Sequence, residues 1–291
     1  MSAYFLWRPA ISDEHPQIET LRAEQVHDLR LPWLSRFTRD TLAAHLHAHP
    51  GTALWVPPTG EYAVAGPWRH RQDIAQVLEV HARRGREALM RALLDRLSRQ
   101  FELAVMFDDE WASAPRLFQS LGFEHLERVV YFQKDLRRAG ALQTARPLPP
   151  LDFARPRLQD LDLLVRLDHQ SFPWLWWNSR EEFELYIRTD GVYIYWAFHQ
   201  GQPVGYASFT MYSGWAHLDR LGVVAQHQGK GFGAALLHHS LLAMSDLDAA
   251  YVSLSTQESN VQSHRLYRSF GFRQTTEQMN LYGARLKGGT G

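Results

Sequence analysis

The chain contains no cysteine. That absence excludes disulfide stapling, thiolate-held zinc, iron–sulfur clusters and a cysteine nucleophile. An excess of charge of one sign is lacking too, since 31 Lys and Arg balance 31 Asp and Glu over 291 residues. Neither nucleic acid nor a membrane surface is therefore expected as a partner held by bulk charge. No apolar run approaches the roughly 18 residues that a membrane-crossing helix needs. The opening residues, Met1 to Pro16, lack a basic stretch leading into an apolar core, so no signal peptide is expected. A cytoplasmic protein fits these absences. Histidine is plentiful, but His45, His47 and His49 alternate and His238 and His239 are adjacent. Neither group sets two ligands one helical turn apart beside a carboxylate, and no metal is expected. What remains is ordinary for a globular chain, with 45% hydrophobic and 21% charged residues. Its length corresponds to about two domains, each able to bury a core.

The sequence repeats itself. Pro32, Trp33 and Leu34 recur as Pro173, Trp174 and Leu175. The same offset of 141 residues carries Thr38 and Arg39 onto Ser179 and Arg180, Leu46 onto Ile187, Trp55 onto Trp196 and Gly60 onto Gly201. Upstream, Phe5, Arg8 and Pro9 resemble Phe153, Arg155 and Pro156. Downstream, Arg116 to Phe123 resembles Arg265 to Phe272 at an offset of 149, a drift that small loop insertions explain. Matches in one order across both halves point to a tandem duplication. The expected partition is a domain over 1–140, a linker over 141–150 rich in Ala and Pro, and a second domain over 151–291.

The second copy predicts a short strand near 151–155 and a helix over 160–172, which Asp160 can cap. Ser179 and Glu182 form a capping-box pattern that opens a helix to about Arg188. Residues 193–199 and 204–212 read as a hairpin around Gln200, Gly201 and Gln202. A strand over 217–224, a helix over 232–244, a strand over 250–254, a helix over 260–270 and a final strand over 277–286 follow. This order defines an α/β fold with a mostly antiparallel sheet.

Two stretches carry chemistry. In the first, a β-branched strand end at Val223 and Val224 runs into Gly229, Gly231 and Gly233 and then an apolar helix. Glycines let the backbone turn sharply and approach a ligand. The helix start offers unpaired N–H groups and a positive dipole end, a natural anion site. A Walker loop is excluded because Lys230 is followed by Gly231, and a Rossmann fingerprint lacks its third glycine. In the second stretch, Asn260 and Ser263 open a helix, Tyr267 lies one turn past Ser263, and Gly271 suits the cap that ends it.

Together, in this order, these stretches resemble the GNAT superfamily of N-acetyltransferases. The Gln/Arg-x-x-Gly-x-Gly/Ala loop of the family is met by Gln228, Gly231 and Gly233. Its Asn-x-x-Ser/Ala-x-x-x-Tyr-x-x-x-Gly-Phe segment is met by Asn260, Ser263, Tyr267, Gly271 and Phe272. The resemblance implies two tandem domains, each a mostly antiparallel splayed sheet flanked by helices. It implies acetyl-CoA as co-substrate and transfer to a primary amine by direct attack. Backbone groups of Leu221, Gly222 and Val223 would hold the pantetheine arm. Amides across Gln228, Gly229, Lys230, Gly231, Phe232, Gly233 and Ala234 would hold the pyrophosphate, with Asn260 and Ser263 fixing the loop beside them. Tyr267 would donate a proton to the leaving thiolate. His217 and Asp219, alternating on the preceding strand, are candidate bases, and Asp219 could equally pair with Arg220. Glu258 is a weaker third. The acceptor would be a small-molecule amine or a protein amino group. A non-catalytic acyl-CoA sensor is the alternative, against which intact Tyr267 and the glycine loop weigh.

The first copy reads differently. Its loop, His81 to Met90, keeps only Gly85 and carries Glu87 among Arg83, Arg84 and Arg86. Trp111 stands where the second copy has Asn260, and Phe118 where it has Tyr267. That copy is expected to be degenerate, retained for structure or for part of the acceptor site, or else a weaker acyl-CoA site. Trp174, Trp176 and Trp177 could stack on an acceptor or simply pack.

Overall fold

The structure is a computed structural model that describes residues 17–83, 85–108, 115–138, 140–144 and 147–286. The Phe5–Pro9 similarity, Arg84, Trp111 and part of the 141–150 linker lie outside the described residues. Contacts divide the chain into two compact units. One draws on residues up to Gly66, on Val77–Arg99 and on the chain end from Leu286; the other on Pro67–Gln76 and Gln100–Arg285. Copies and units are thus different partitions. The boundary expected at 141–150 follows the sequence repeat, whereas the larger unit takes residues from both sides of it.

In the smaller unit, β1 (Glu19–Thr20) pairs antiparallel with β2 (Ala53–Val56), and β2 with β3 (Glu61–Pro67). The helix α1 (Arg39–Ala48) starts at Thr38, whose hydroxyl accepts the Thr41 N–H at 3.2 Å. Leu42 and Leu46, one turn apart on that helix, bury against Leu21, Leu29, Trp55, Tyr62 and Val64. The strand β4 (Ile74–His81) is followed by α2 (Arg86–Leu97).

The larger unit continues with β5 (Leu103–Phe107), α3 (Pro115–Ser120), β6 (Glu124–Asp135), β7 (Asp152–Ala154), α4 (Leu161–Ser171) and α5 (Arg180–Arg188). Then come β8 (Val192–His199), β9 (Gln202–Tyr212), β10 (Trp215–Val223), α6 (Phe232–Asp246), β11 (Tyr251–Gln257), α7 (Val261–Ser269) and β12 (Arg273–Arg285). From the start of β4, its strands follow the order β4-β5-β12-β6-β11-β10-β9-β8-β7. Only β4–β5 and β10–β11 are parallel, so the sheet is mostly antiparallel as expected. The expected elements are all present, with ends displaced by a few residues. The Ser179 hydroxyl caps α5 at 3.0 Å from the Glu182 N–H. The reciprocal half of the capping box is missing, because the Glu182 carboxylate faces His70 at 3.5 Å.

The strand order holds an exchange. The last strand of the first copy, β6, pairs with β11, the fifth strand of the second, from Tyr251 opposite Asp135 to Gln257 opposite Val129. Conversely β12, which ends the second copy, pairs with β5, the fifth strand of the first. The two exchanged strands pair with each other.

The sheet opens between β10 and β11. Their parallel pairing ends at Leu218 opposite Leu254, while β10 continues to Val223 paired only with β9. A bulge in the β9 pairing falls between Leu218 and Arg220. A bulge inserts one extra residue and shifts the phase of the side chains. Before it, Ala216 and Leu218 pack with Leu237 and Leu241 of α6; after it, Val223 joins Phe232 and Leu236 on the same side. Asp219 and Arg220 are consecutive, yet both turn toward the α4–α5 side. Gly222 is required there, since a Cβ would stand 2.6 Å from the Phe172 ring. The described linker residues are pinned rather than free. Leu142 packs on the core and its carbonyl accepts from His238 at 3.0 Å. Among the described residues no helix is long and apolar enough to cross a membrane, and no group of three or more side chains could hold a metal.

Candidate active site

Two cavities share the V between β10 and β11. The larger, about 460 Å³, is lined by Leu221, Gly222, Val223, Gln228, Gly229, Gly233, Asn260 and Ser263 among others. The smaller, about 80 Å³, is lined by Asp219, Arg220, Leu221, Asn260, Ser263, Tyr267 and Arg69. Phe172, Trp176, Leu221, Gln257, Asn260 and Ser263 belong to both. Most of the residues expected to act together are therefore brought together.

The glycine loop is built as an anion cradle. Gly229 and Gly231 hold φ of 77° and 83°, the left-handed region that only glycine occupies without strain. Gly231 is the N-cap of α6, and no side chain caps that helix. Among the described residues, no acceptor engages the N–H groups from Gly229 to Ala234. The Gln228 side chain donates to the Val223 carbonyl at 3.0 Å, which ties the loop back onto the end of β10. Phe232 is buried in the core and anchors the helix start, leaving only its backbone to serve a ligand. Lys230 is exposed, 3.5 Å from the His227 ring, and does not line the cavity.

The second motif sits across from the loop. The Asn260 side chain caps α7 by accepting the Ser263 N–H at 3.1 Å. One turn on, Tyr267 is buried, its ring among Phe132 and Phe272. Burial pushes the phenol up to about 12, tempered by the Ser263 hydroxyl. The tyrosine therefore stays protonated at neutral pH.

Of the three candidate bases, the cavity contains one. Asp219 lines it and accepts the Thr210 hydroxyl at 2.8 Å. Burial pushes its carboxyl up to about 7, against the hydrogen bond from Thr210 and the charges of Arg69 and Arg220. A carboxyl poised there suits a general base at neutral pH. His217 lines neither cavity; its Nδ1 lies 2.8 Å from the Ser253 hydroxyl, and burial lowers its pKa. Glu258 is half exposed on the surface, paired with Arg128 at 3.4 Å. Asp219 does not pair with Arg220, because that arginine is committed elsewhere.

That commitment is a buried network absent from the sequence reading. Arg220 donates to Asp168, to the Tyr206 hydroxyl at 3.1 Å and to the Trp176 carbonyl at 2.8 Å. Asp168 is fully buried and also accepts the Tyr206 hydroxyl at 2.5 Å and the Asn178 N–H at 2.8 Å. Burial opposes the Arg220 charge, yet Tyr206 and Asp168 hold its pKa above the ordinary value. The segment 67–76 joins in. Trp68 donates to the Leu175 carbonyl at 2.7 Å, Arg71 donates to the Trp174 carbonyl, and Arg69 donates to the Asn178 side chain at 2.8 Å. Trp176 is buried edge-on to Trp68, and Trp177 stacks on His169 at 4.2 Å. The tryptophan loop is thus packed, with Trp176 walling both cavities. Arg220, a long cation in the middle of a core strand, was the available signal for the network; no spacing could have pointed to Arg69.

The first-copy loop differs. The Arg83 N–H already donates to the Glu61 carboxylate at 2.6 Å. Glu87 is paired with Arg91 at 2.7 Å, so its charge is turned along the helix surface. Phe118, the counterpart of Tyr267, is buried and stacked on Tyr282 at 4.5 Å.

Residues 160–272 match the model of the acetyltransferase (GNAT) family. No curated protein sequence matches the chain. Among solved structures it is similar to a tandem GNAT protein from the clavulanic acid biosynthesis pathway, at TM-score 0.61 and 16% identity over 93% of this chain and 98% of that one. A GCN5-related N-acetyltransferase from Sphaerobacter thermophilus matches at 0.59 and 16%, over 94% and 96%. One from Kribbella flavida matches at 0.63 and 14%, over 92% and 70%. At such identities the structures share the fold.

Proposed function

We propose that the chain is an acyl-CoA-dependent N-acyltransferase, with acetyl-CoA as donor and a primary amine as acceptor, and that the second copy carries the reaction. The observation behind this reading is that Asp219 and Tyr267 line one small cavity where the opened strands adjoin the glycine loop. The unsatisfied N–H row from Gly229 to Ala234 fits a pyrophosphate. The free edge of β10 at Leu221, Gly222 and Val223 fits the amides of a pantetheine arm. When bound there, the co-substrate supplies an activated acyl group as a thioester.

Asp219 takes the proton of the acceptor ammonium. The nitrogen lone pair then forms the bond to the acyl carbon, and the carbon–sulfur bond breaks with its electron pair passing to sulfur. Tyr267 faces that charge. A phenol near 12 is a weaker acid than an ordinary thiol near 8.5, so outright proton transfer runs uphill by several units. Tyr267 therefore acts as a fixed hydrogen-bond donor to the departing sulfur, and the thiolate takes up, through solvent, the second proton that the nitrogen sheds as the amide forms. A charge-assisted hydrogen bond is worth about 1.5–3 kcal/mol. Tyr267→Phe should accordingly lower turnover roughly 10- to 150-fold, with CoA affinity within about threefold. Thiol release from acetyl-CoA across an amine library, with calorimetry for CoA, measures both. Turnover of the variant within threefold of wild type removes Tyr267 from the mechanism.

A further inference from the structure

The geometry points to Arg69 as the anchor for a carboxylate carried by one of the reactants, close to the reacting atoms. This inference rests on the N-acyltransferase reading and names the substrate class. Arg69 comes from the first copy, about 150 residues before the β10 strand in sequence, yet it lines the same small cavity as Asp219 and Tyr267. It does not line the larger cavity. The cation thus stands with the base and the proton-bearing phenol, apart from the glycine loop.

Three observations show a guanidinium built into place and left without an anion. Its carbon lies 5.2 Å from the Trp68 ring and 5.5 Å from the Trp176 ring, so two indoles fix its position. Its backbone holds φ 52° and ψ 41°, and His70 follows at φ 54°. Two consecutive left-handed residues that are not glycine persist only where surrounding contacts enforce them. Its Nη1 donates to the neutral Asn178 side chain, and its Nε is buried without an acceptor. No carboxylate of the described residues lies within ion-pair distance of it.

The neighbouring charges are otherwise accounted for. Arg220 is neutralised by Asp168. Glu182 faces His70. Asp219 is needed to accept a proton and holds Thr210. Burial, with Arg220 adding to it, lowers the Arg69 pKa, the signature of a cation whose environment does not compensate it. A buried charge lacking a partner is costly, and a guanidinium fork offers parallel N–H groups that match a carboxylate. An incoming carboxylate would satisfy the donors this site leaves open.

The carboxylate has two sources. An acceptor such as an amino acid carries it next to the attacking amine. A dicarboxylic acyl group, malonyl or succinyl, carries it on the donor. The test uses the full chain. In one arm, acetyl-CoA is held fixed and amino acids are compared with their carboxamides and decarboxylated amines. In the other, one amine is held fixed and malonyl- and succinyl-CoA are compared with acetyl-CoA. A charge-assisted pair predicts a preference of about 10- to 100-fold in kcat/KM for the carboxylate-bearing partner in one arm. Arg69→Gln should reduce that ratio to near one, through KM. Wild-type ratios decide the matter even where the variant fails to fold. Acylation with no carboxylate preference in either arm overturns the inference while leaving the acyltransferase reading intact. A uniform fall in kcat for every substrate in Arg69→Gln also overturns it, by making Arg69 an aid to the thioester. Absence of both CoA binding and acylation sinks the parent reading instead.

Discussion

An Asp219 carboxyl held up to about 7 keeps its proton in the folded protein at pH values where the unfolded chain has released it. Between about pH 4 and 7 the folded state binds more protons, so stability declines as pH rises through that window. The shift from 3.8 corresponds to about 4 kcal/mol as a ceiling. Asp219→Asn removes this cost. The variant should melt at a higher temperature than wild type at pH 8 and approach it near pH 3, below both pKa values. Its turnover should fall at least about 100-fold, because the base is gone. Scanning calorimetry at the two pH values, with kinetics at pH 8, checks both halves; a melting difference that does not change with pH would refute the assignment. Tyr267, Asn260 and Ser263 were legible in the sequence as candidates because they share one short local motif, and Asp219 because it alternates with His217 on the strand before the loop. His217 shared the alternation of Asp219 but was set apart by its Ser253 partner, which alternation does not reveal. Arg69 was illegible because its place in the site comes from tertiary packing alone.

At the scale of elements, strands and helices were readable from apolar spacing and caps, and the bulge in β10 left a trace there as well. Its α6-facing positions run Ala216, Leu218, then Leu221 and Val223, a step of three where a flat strand would show two. Without a structure, that step reads as noise. The loop after β10 separates two glycine roles. At Gly231, φ is 83° and a Cβ would meet the Pro149 ring at 3.2 Å. Gly231→Ala should therefore cost about 1–2 kcal/mol of stability. At Gly233 a Cβ would stand 3.6 Å from Leu266 and 3.8 Å from Val223, ordinary contacts with residues that line the larger cavity. Gly233→Val should melt within a few degrees of wild type yet bind CoA at least about tenfold more weakly. Calorimetric titration of the two variants against their melting curves tests the division; unchanged CoA affinity in Gly233→Val would show that the pyrophosphate lies elsewhere.

Across the whole molecule, one acyl-CoA per chain is expected. The two loops already differed in sequence, since the first keeps only Gly85 and carries Glu87 where the second has three glycines. In the first, Glu61 already occupies the Arg83 N–H, and the residue matching Tyr267 is a stacked phenylalanine. Titration with acetyl-CoA should give a stoichiometry near one, and a value near two would make the first copy a cofactor site in its own right. The duplication was legible from recurring tripeptides. The exchange of β6 and β12 was not, because two copies with identical strand patterns leave no mark of which partner each last strand chooses.

That exchange also bears on what can be cut from the chain. Val129 of β6 walls the small cavity and Phe132 packs on Tyr267, so a strand from the first half of the sequence supplies part of the candidate site's wall. Cutting the chain back to its second half would leave the Tyr251–Gln257 edge bare and strip Tyr267 of its Phe132 contact.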